Sequence, residues 1–255
     1  MPDSGRSGAV KVCCAEGETG ATVTKSLLRA DRCIAAAARA GAGLVLFPEQ
    51  FATGWSPVHP IAAPEILPAL AKSAADHDVW VVGSSMEGEE ILQNTAWAVG
   101  PDGEVHARYA KVHLFTPLGE EQTCSAGDCP VVFDADGVRF GLAICYDLRF
   151  PELFLHYARC GVECILVPAA WPPERLSQWE LLARARALDA GCYLAGANAY
   201  GGSCIAAPDG SLIGERTGGM VCGEIEPRQV TEMRTSIPVR KDRRSDLYAR
   251  WETMP

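Results

Sequence analysis

Val138-Arg-Phe-Gly-Leu-Ala-Ile-Cys-Tyr-Asp-Leu-Arg-Phe-Pro-Glu152 changes character at Cys145. Before that cysteine lies a short apolar run, Val138–Ile144, of strand length and strand composition. After it a helical pattern, Pro151–Cys160, opens on a proline, which suits a first turn where a missing N–H costs nothing. A thiol therefore stands just past the carboxyl end of a strand. In α/β proteins that is where ligands bind.

The same alternation extends in both directions. The residues predict strands at Val10–Ala15, Leu44–Phe47, Val79–Gly83, Thr95–Val99, Val105–Tyr109, Val131–Phe133, Cys164–Val167 and Tyr193–Ala197. Shorter strands, Ser203–Ala206 and Leu212–Glu215, flank the turn Pro208-Asp-Gly210, and Met220–Ile225 follows as a third. Helices are expected at Thr24–Ala40, Ala63–His77, Pro151–Cys160 and Glu174–Ala190, with Gly41, Gly161 and Gly191 as left-handed ends to three of them. In the last helix Leu181, Ala185, Leu188 and Cys192 recur at helical spacing and form the expected apolar stripe, with Arg184 and Arg186 off it. With no linker, repeat or composition shift, the 255 residues read as one domain, a layered sandwich with sheets inside and helices outside.

Composition narrows the function classes. Hydrophobic residues make up 48% and charged residues 22%, the balance of a soluble globular protein. No apolar run approaches the roughly 20 residues of a membrane helix, and the first eight residues carry no hydrophobic stretch, so a cytoplasmic location is expected. A formal net charge of −9 speaks against nucleic acid or an anionic membrane as partner. Eleven cysteines, with no Cys-x-x-Cys pair, point neither to a disulfide scaffold nor to zinc; most read as small buried hydrophobes, as in Val12-Cys-Cys-Ala15.

Two further polar residues follow apolar strands as Cys145 does. Glu49 follows Leu44-Val-Leu-Phe-Pro48, and Lys111 follows Val105–Tyr109. Taken singly, each has a bland reading: Glu49 as a turn cap, Lys111 as a solvated charge, Cys145 as a core thiol. Taken together they are a reactive set. A thiol becomes a strong nucleophile once a base takes its proton or a cation stabilises its thiolate. A semi-buried carboxylate can be that base, and a lysine can stabilise thiolate and oxyanion in turn.

The runs around these three residues resemble the nitrilase superfamily of carbon–nitrogen hydrolases. The matching segments are Phe47-Pro-Glu-Gln50, Tyr109-Ala-Lys-Val-His-Leu-Phe115 and Ala143-Ile-Cys-Tyr-Asp-Leu-Arg-Phe-Pro-Glu152, in the family's order and rough spacing. Weaker matches continue through Val167-Pro-Ala-Ala-Trp171, Trp179–Leu188 and Ile237–Tyr248. The resemblance implies a four-layer αββα sandwich and a Glu–Lys–Cys triad that maps onto Glu49, Lys111 and Cys145. It also implies a second glutamate in the loop after the lysine, about seven residues before a glycine. Glu120 stands at that distance from Gly127, with the adjacent Glu121 as the alternative. His113 is expected to pack or hydrogen-bond rather than react, and Asp147 and Arg149 to hold the turn after Cys145 through local ion pairs. The first strand departs from the family, which often has Gln where this chain runs into Glu16 and Gly17.

The mechanism so implied is hydrolysis of a small-molecule amide through a thioester. Glu49 takes the Cys145 proton, and Lys111 and the Tyr146 backbone N–H hold the oxyanion. No metal or organic cofactor is required. The sequence Cys-Tyr-Asp-Leu-Arg-Phe-Pro-Glu is similar to the amidase branches, and the short chain to omega-amidases acting on carboxylate-bearing monoamides. An N-carbamoyl amide hydrolase is the alternative within enzymes, and a catalytically idle binding or scaffold relative the alternative outside them. Trp171, past the strand Cys164–Val167, and Arg175, at the start of the next helix, are expected to bind substrate, Arg175 by gripping a carboxylate. The family also implies at least a homodimer packed through Pro151–Cys160 and Glu174–Ala190.

Overall fold

The computed structural model describes residues 8–17, 20–251 and 254. Two mixed sheets lie face to face. The first contains β1 (Val10–Ala15), β2 (Leu44–Leu46), β3 (Trp80–Glu87), β4 (Gln93–Val99), β5 (Val105–Ala110), β12 (Glu215–Thr217) and β13 (Met220–Ile225), in the order β12-β13-β1-β2-β3-β4-β5. The second contains β6 (Val132–Ala135), β7 (Val138–Leu142), β8 (Cys164–Ala169), β9 (Tyr193–Asn198), β10 (Cys204–Ala206) and β11 (Leu212–Ile213), in the order β11-β10-β9-β8-β7-β6. Helices α1 (Val23–Arg39) and α2 (Ile66–His77) cover the outer face of the first sheet, and α3 (Pro151–Arg159) and α4 (Leu176–Ala190) that of the second. The architecture is the expected αββα sandwich.

The pleat explains why the central strands read as unbroken apolar runs. Along β1, Val12 and Cys14 point into the core between the sheets, while Cys13 and Ala15 point toward α1 and α2. Both faces are covered along Val12–Ala15, which is wholly apolar; the one polar residue of the strand, Lys11, lies near its start and donates to the Ala40 carbonyl at 2.9 Å. The parallel neighbours β1-β2-β3 and β7-β8-β9 carry their carboxyl ends to one rim. Local signals set the helix ends. The Thr22 hydroxyl accepts from the Lys25 N–H at 3.3 Å and starts α1. Gly41, Gly161 and Gly191 all have positive φ, as expected, and Asp78 does the same service for α2 at φ 52°.

Four expectations are corrected. The stripe predicted for α4 faces outward at its leucines: Leu181 is 67% and Leu188 47% exposed, while Trp179, Ala183, Arg186, Ala187 and Ala190 are buried. Small alanines let the helix sit close to the sheet, and Arg186 is buried because its guanidinium donates to the Leu148 and Arg149 carbonyls. Second, Cys13 is no free core thiol but is disulfide-bonded to Cys222, directly opposite on β13 with the two Cα atoms 4.1 Å apart. Third, Leu212–Glu215 is not one strand. It breaks at Gly214, φ 96°, where a Cβ would lie 2.7 Å from the Cys222 carbonyl oxygen; β11 and β12 belong to different sheets. Fourth, α4 begins at Leu176, because Pro173–Arg175 forms a 3-10 turn.

The sequence reading also missed α5 (Pro227–Ser236), α6 (Val239–Asp242) and α7 (Ser245–Trp251), which bury few side chains. Glu16 finds its own partners, the Ser203 N–H at 2.8 Å and Arg216 at 2.5 Å. Among the described residues no helix is long and apolar enough to cross a membrane.

One contact fixes how closely α4 approaches β9. A Cβ at Gly196 would lie 2.5 Å from Cζ2 of the fully buried Trp179, whose indole N–H donates to the Gly202 carbonyl at 2.8 Å. Gly196→Ala should therefore lower unfolding free energy by about 1–3 kcal/mol, the usual penalty for overpacking a core. Urea titration of the variant against the parent measures it, and an unchanged midpoint would contradict this packing.

Candidate active site

Each sheet contributes one half of a reactive cluster. Glu49 follows β2 and Lys111 follows β5 on the first sheet; Cys145 follows β7 on the second. Glu120 arrives from the loop after Lys111, whose return is fixed where the Gly127 N–H donates to the Lys111 carbonyl at 2.9 Å. The structure thus brings together the four residues singled out from the sequence, and it places Glu120, not the exposed Glu121, inside.

Lys111 is the centre of the cluster. Its Nζ lies 2.9 Å from Glu49 Oε1 and 2.8 Å from Glu120 Oε2, with all three side chains shut off from solvent. Glu120 Oε2 also accepts the Phe115 backbone N–H at 2.6 Å, which fixes that loop to the ion pair. Burial disfavours the Lys111 ammonium, but Glu49, Cys145 and Glu120 outweigh it and raise its pKa, so the lysine remains a cation. Burial and the neighbouring Glu120 raise the Glu49 pKa against the pull of Lys111. Burial and the Glu49 charge push the Cys145 thiol well above its ordinary value. At rest the sulfur therefore keeps its proton, beside a carboxylate whose affinity for protons is itself raised. Glu49 Oε2 has no partner of its own, whereas Oε1 receives two donors.

The turn at Cys145 is held from the opposite sheet. Cys145 has φ 48°, a left-handed conformation rare outside glycine. The buried Asp147 accepts from the Ile144 N–H at 2.8 Å, the Tyr109 hydroxyl at 2.7 Å and the His113 backbone N–H at 2.9 Å. His113 also meets Asp147 through Nδ1 at 2.8 Å and stacks on Phe150 at 3.7 Å, so it is the bonding and packing histidine expected. The expectation for Arg149 is corrected. It does not pair with Asp147, whose oxygens are already engaged; its guanidinium lies 4.6 Å above the Trp171 ring and donates to Gln178 at 2.8 Å.

A cleft of roughly 260 Å³ opens above Cys145, walled by Trp55, Phe115, Leu118, Tyr146, Trp171 and Tyr200, with Arg149, Glu174 and Arg175 among its polar lining. Tyr146, Trp171 and Arg175, proposed from the sequence, all line it. Glu49, Lys111 and Glu120 lie below, and only Cys145 of the four reaches the cleft. Trp171 is positioned by Asn198, which accepts its backbone N–H at 2.6 Å and donates to its carbonyl at 2.9 Å. Arg175 lies 5.7 Å from the Phe115 ring and forms no ion pair among the described residues. The sequence reading missed Asn94, Asn198 and the cleft position of Arg149. Asn94 stands between Gln93 and Thr95 at the polar start of β4, where nothing singles it out; Asn198 ends β9, so the strand-end signal that marked Glu49 and Cys145 could have found it; Arg149 lay in a matched motif, but its motif did not reveal which way it points.

An arrangement of this kind can transfer a proton from sulfur to carboxylate beside a fixed cation, at the floor of an apolar cleft sized for a small molecule. The chain matches the carbon-nitrogen hydrolase family over residues 12–235. It is 34% identical over 252 residues to omega-amidase NIT2-A of Xenopus laevis, covering 88% of this chain and 91% of that protein. It is 35% identical over 192 residues to 2-oxoglutaramate amidase of Bacillus subtilis, covering 70% and 74%. Among solved structures, a mutant of the amidase from Nesterenkonia sp. AN1, with the acetamide moiety of fluoroacetamide added covalently at its active-site cysteine, superposes with a TM-score of 0.82 at 28% identity, covering 96% of this chain and 98% of that one. The family match extends from β1 into α5 and takes in every strand that carries the buried cluster, and this chain belongs to the carbon–nitrogen hydrolases of the nitrilase superfamily.

Proposed function

We propose that this carbon–nitrogen hydrolase, read as one domain, is a cysteine-dependent amidase that acts on a small carboxylate-bearing monoamide through a thioester. The observation that carries the reading is the solvent-free ion pair of Lys111 with Glu49 and Glu120 beneath a thiol that opens into the cleft. Glu49 takes the Cys145 proton as sulfur attacks the amide carbon. Lys111 and the Tyr146 N–H hold the oxyanion. As the tetrahedral intermediate collapses, Glu49 returns the proton to the leaving nitrogen and ammonia departs. Water, deprotonated by Glu49, then attacks the thioester; the acid leaves and the thiol is restored. Glu120 touches neither substrate nor sulfur in this scheme: its bonds to Lys111 and the Phe115 N–H suit it to fixing the lysine.

Support for a carboxylate on the substrate comes from the cleft. Arg175 borders it with no acidic partner among the described residues, and a guanidinium can grip a carboxylate through two parallel hydrogen bonds. The two relatives named for omega-amide and 2-oxoglutaramate hydrolysis favour the same substrate class. An intact cluster speaks against an idle scaffold; a carbamoyl amide that carries a carboxylate would meet Arg175 equally, so the relatives' names are what favour an acid monoamide over it.

For assembly we propose a homodimer through α3 and α4. The outward Leu181 and Leu188 give α4 an apolar face, which an isologous contact would cover.

Ammonia release from monoamides, carbamoyl amides and nitriles tests the reaction. Cys145→Ala, Glu49→Gln and Lys111→Ala should each reduce turnover by roughly 10³-fold or more with the fold intact, since each loses a transition-state role. A variant that retains a tenth of the parent rate would remove that residue from the scheme. Arg175→Ala should raise KM for the best monoamide about tenfold with a smaller fall in kcat, as loss of one charged hydrogen bond implies; an unchanged KM would reject the clamp. Sedimentation at micromolar concentration should show a dimer that Leu181→Glu with Leu188→Glu splits, and a monomeric parent would end that proposal.

A further inference from the structure

Asn94 lies on β4, directly behind the buried ion pair, and is itself fully buried. Its backbone carbonyl accepts the Lys111 N–H at 2.8 Å. Its side-chain Nδ2 donates to Glu49 Oε1 at 2.7 Å and reaches Glu120 Oε1 at 3.4 Å. One residue therefore touches the lysine and both carboxylates. Glu49 and Glu120 together carry two negative charges against the single cation of Lys111, all without solvent. Among side chains, a neutral primary amide can give one hydrogen to each carboxylate without adding charge. An aspartate of the same shape would place a third acceptor among them.

The bond has a directional consequence. Glu49 Oε1 is occupied by both Asn94 and Lys111, while Oε2 has no partner. We infer that Asn94 is a positioning residue: by engaging Oε1 it turns Oε2 toward the Cys145 proton and keeps Glu49 ionised until the thiol attacks. The inference rests on Glu49 being the base in the proposed reaction. A donor to a carboxylate favours its charged form, so loss of that donor makes Glu49 hold its proton to higher pH. The burial of Glu49 already acts in that direction, and the Asn94 donor at 2.7 Å is placed to oppose it.

The test is the pH profile of kcat/KM for ammonia release from the best monoamide, whose acidic limb reports the base of the free enzyme. Asn94→Leu removes the donor but keeps the branched shape at a larger volume, and Asn94→Asp replaces the amide nitrogen by oxygen at nearly constant size. In both variants the acidic limb should move upward by about one pH unit, so that on that limb the rate at a fixed pH falls roughly tenfold and is recovered as the pH is raised. A limb that stays in place while only the plateau falls would show that Asn94 is a packing residue and overturn the inference. So would failure of both variants to fold, since thermal melting should find the two-sheet core intact. Glu49→Gln, assayed alongside, separates the two levels. If it remains active, Glu49 is not the base and the proposed mechanism fails; if it is inactive and the limb of the Asn94 variants is unmoved, only the role of Asn94 fails.

Discussion

The structure is organised around an ammonium with no water. Lys111 lies between two carboxylates, and none of the three side chains reaches solvent. Removing one partner from such a pair typically costs about 3–5 kcal/mol, because a charge is left buried and alone. The cluster therefore constrains everything that encloses it. The ends of β2 and β5 must converge, the loop from 116 to 127 must fold back over Lys111, and an uncharged donor must stand where Asn94 does. The cation held in this way is also the group a developing negative charge needs next to it, already desolvated and already oriented.

The second constraint is the turn that presents the sulfur. Glu49 is followed by a left-handed residue, Gln50 at φ 49°, and Cys145 is itself one at φ 48°. Such conformations persist only where the surroundings over-determine them. At Gln50 the Ser84 hydroxyl of β3 accepts the backbone N–H at 3.0 Å. At Cys145 the Asp147 carboxylate ties the Ile144 N–H to Tyr109 of the other sheet and to His113 in the segment that follows β5. The bonds that shape the nucleophile's turn thus cross the same interface that divides the reactive groups. Sheet packing and site geometry are one arrangement here, and the apolar core between the sheets sets the distance at which thiol and carboxylate meet.

What the sequence misled about has a common cause. Leu181, Ala185 and Leu188 form a regular stripe, yet α4 turns its alanines and Trp179 inward. Periodicity reports that a helix has an apolar face, not which apolar face the sheet accepts. Close approach, set by Gly196 beneath Trp179, favours the small residues, and the leucines are left outside. Cys13 reads as a buried hydrophobe because its neighbours are apolar. Its pairing with Cys222, 209 residues away, follows only from the antiparallel register of β1 with β13. Arg149 sits in a matched motif but stacks on Trp171 rather than bonding Asp147, since Asp147 is saturated by groups from another sheet.

By itself the sequence determined a layered sandwich of sheets inside helices, through apolar runs of strand length alternating with helical patterns, and Glu49, Lys111 and Cys145 as candidates beyond strand ends; the four-layer αββα arrangement and Glu120 came from the family resemblance of its ordered motifs. Those are local properties: composition, period, and a polar residue where an apolar run stops. The tertiary structure alone decided that these four residues meet, that Lys111 bonds both carboxylates, that Asn94 and Asn198 serve as clamps, and which side of α4 is free. Each of those depends on a distance between elements remote in the chain. Such distances are set by how side chains of different size pack between two sheets, which no single stretch of sequence contains.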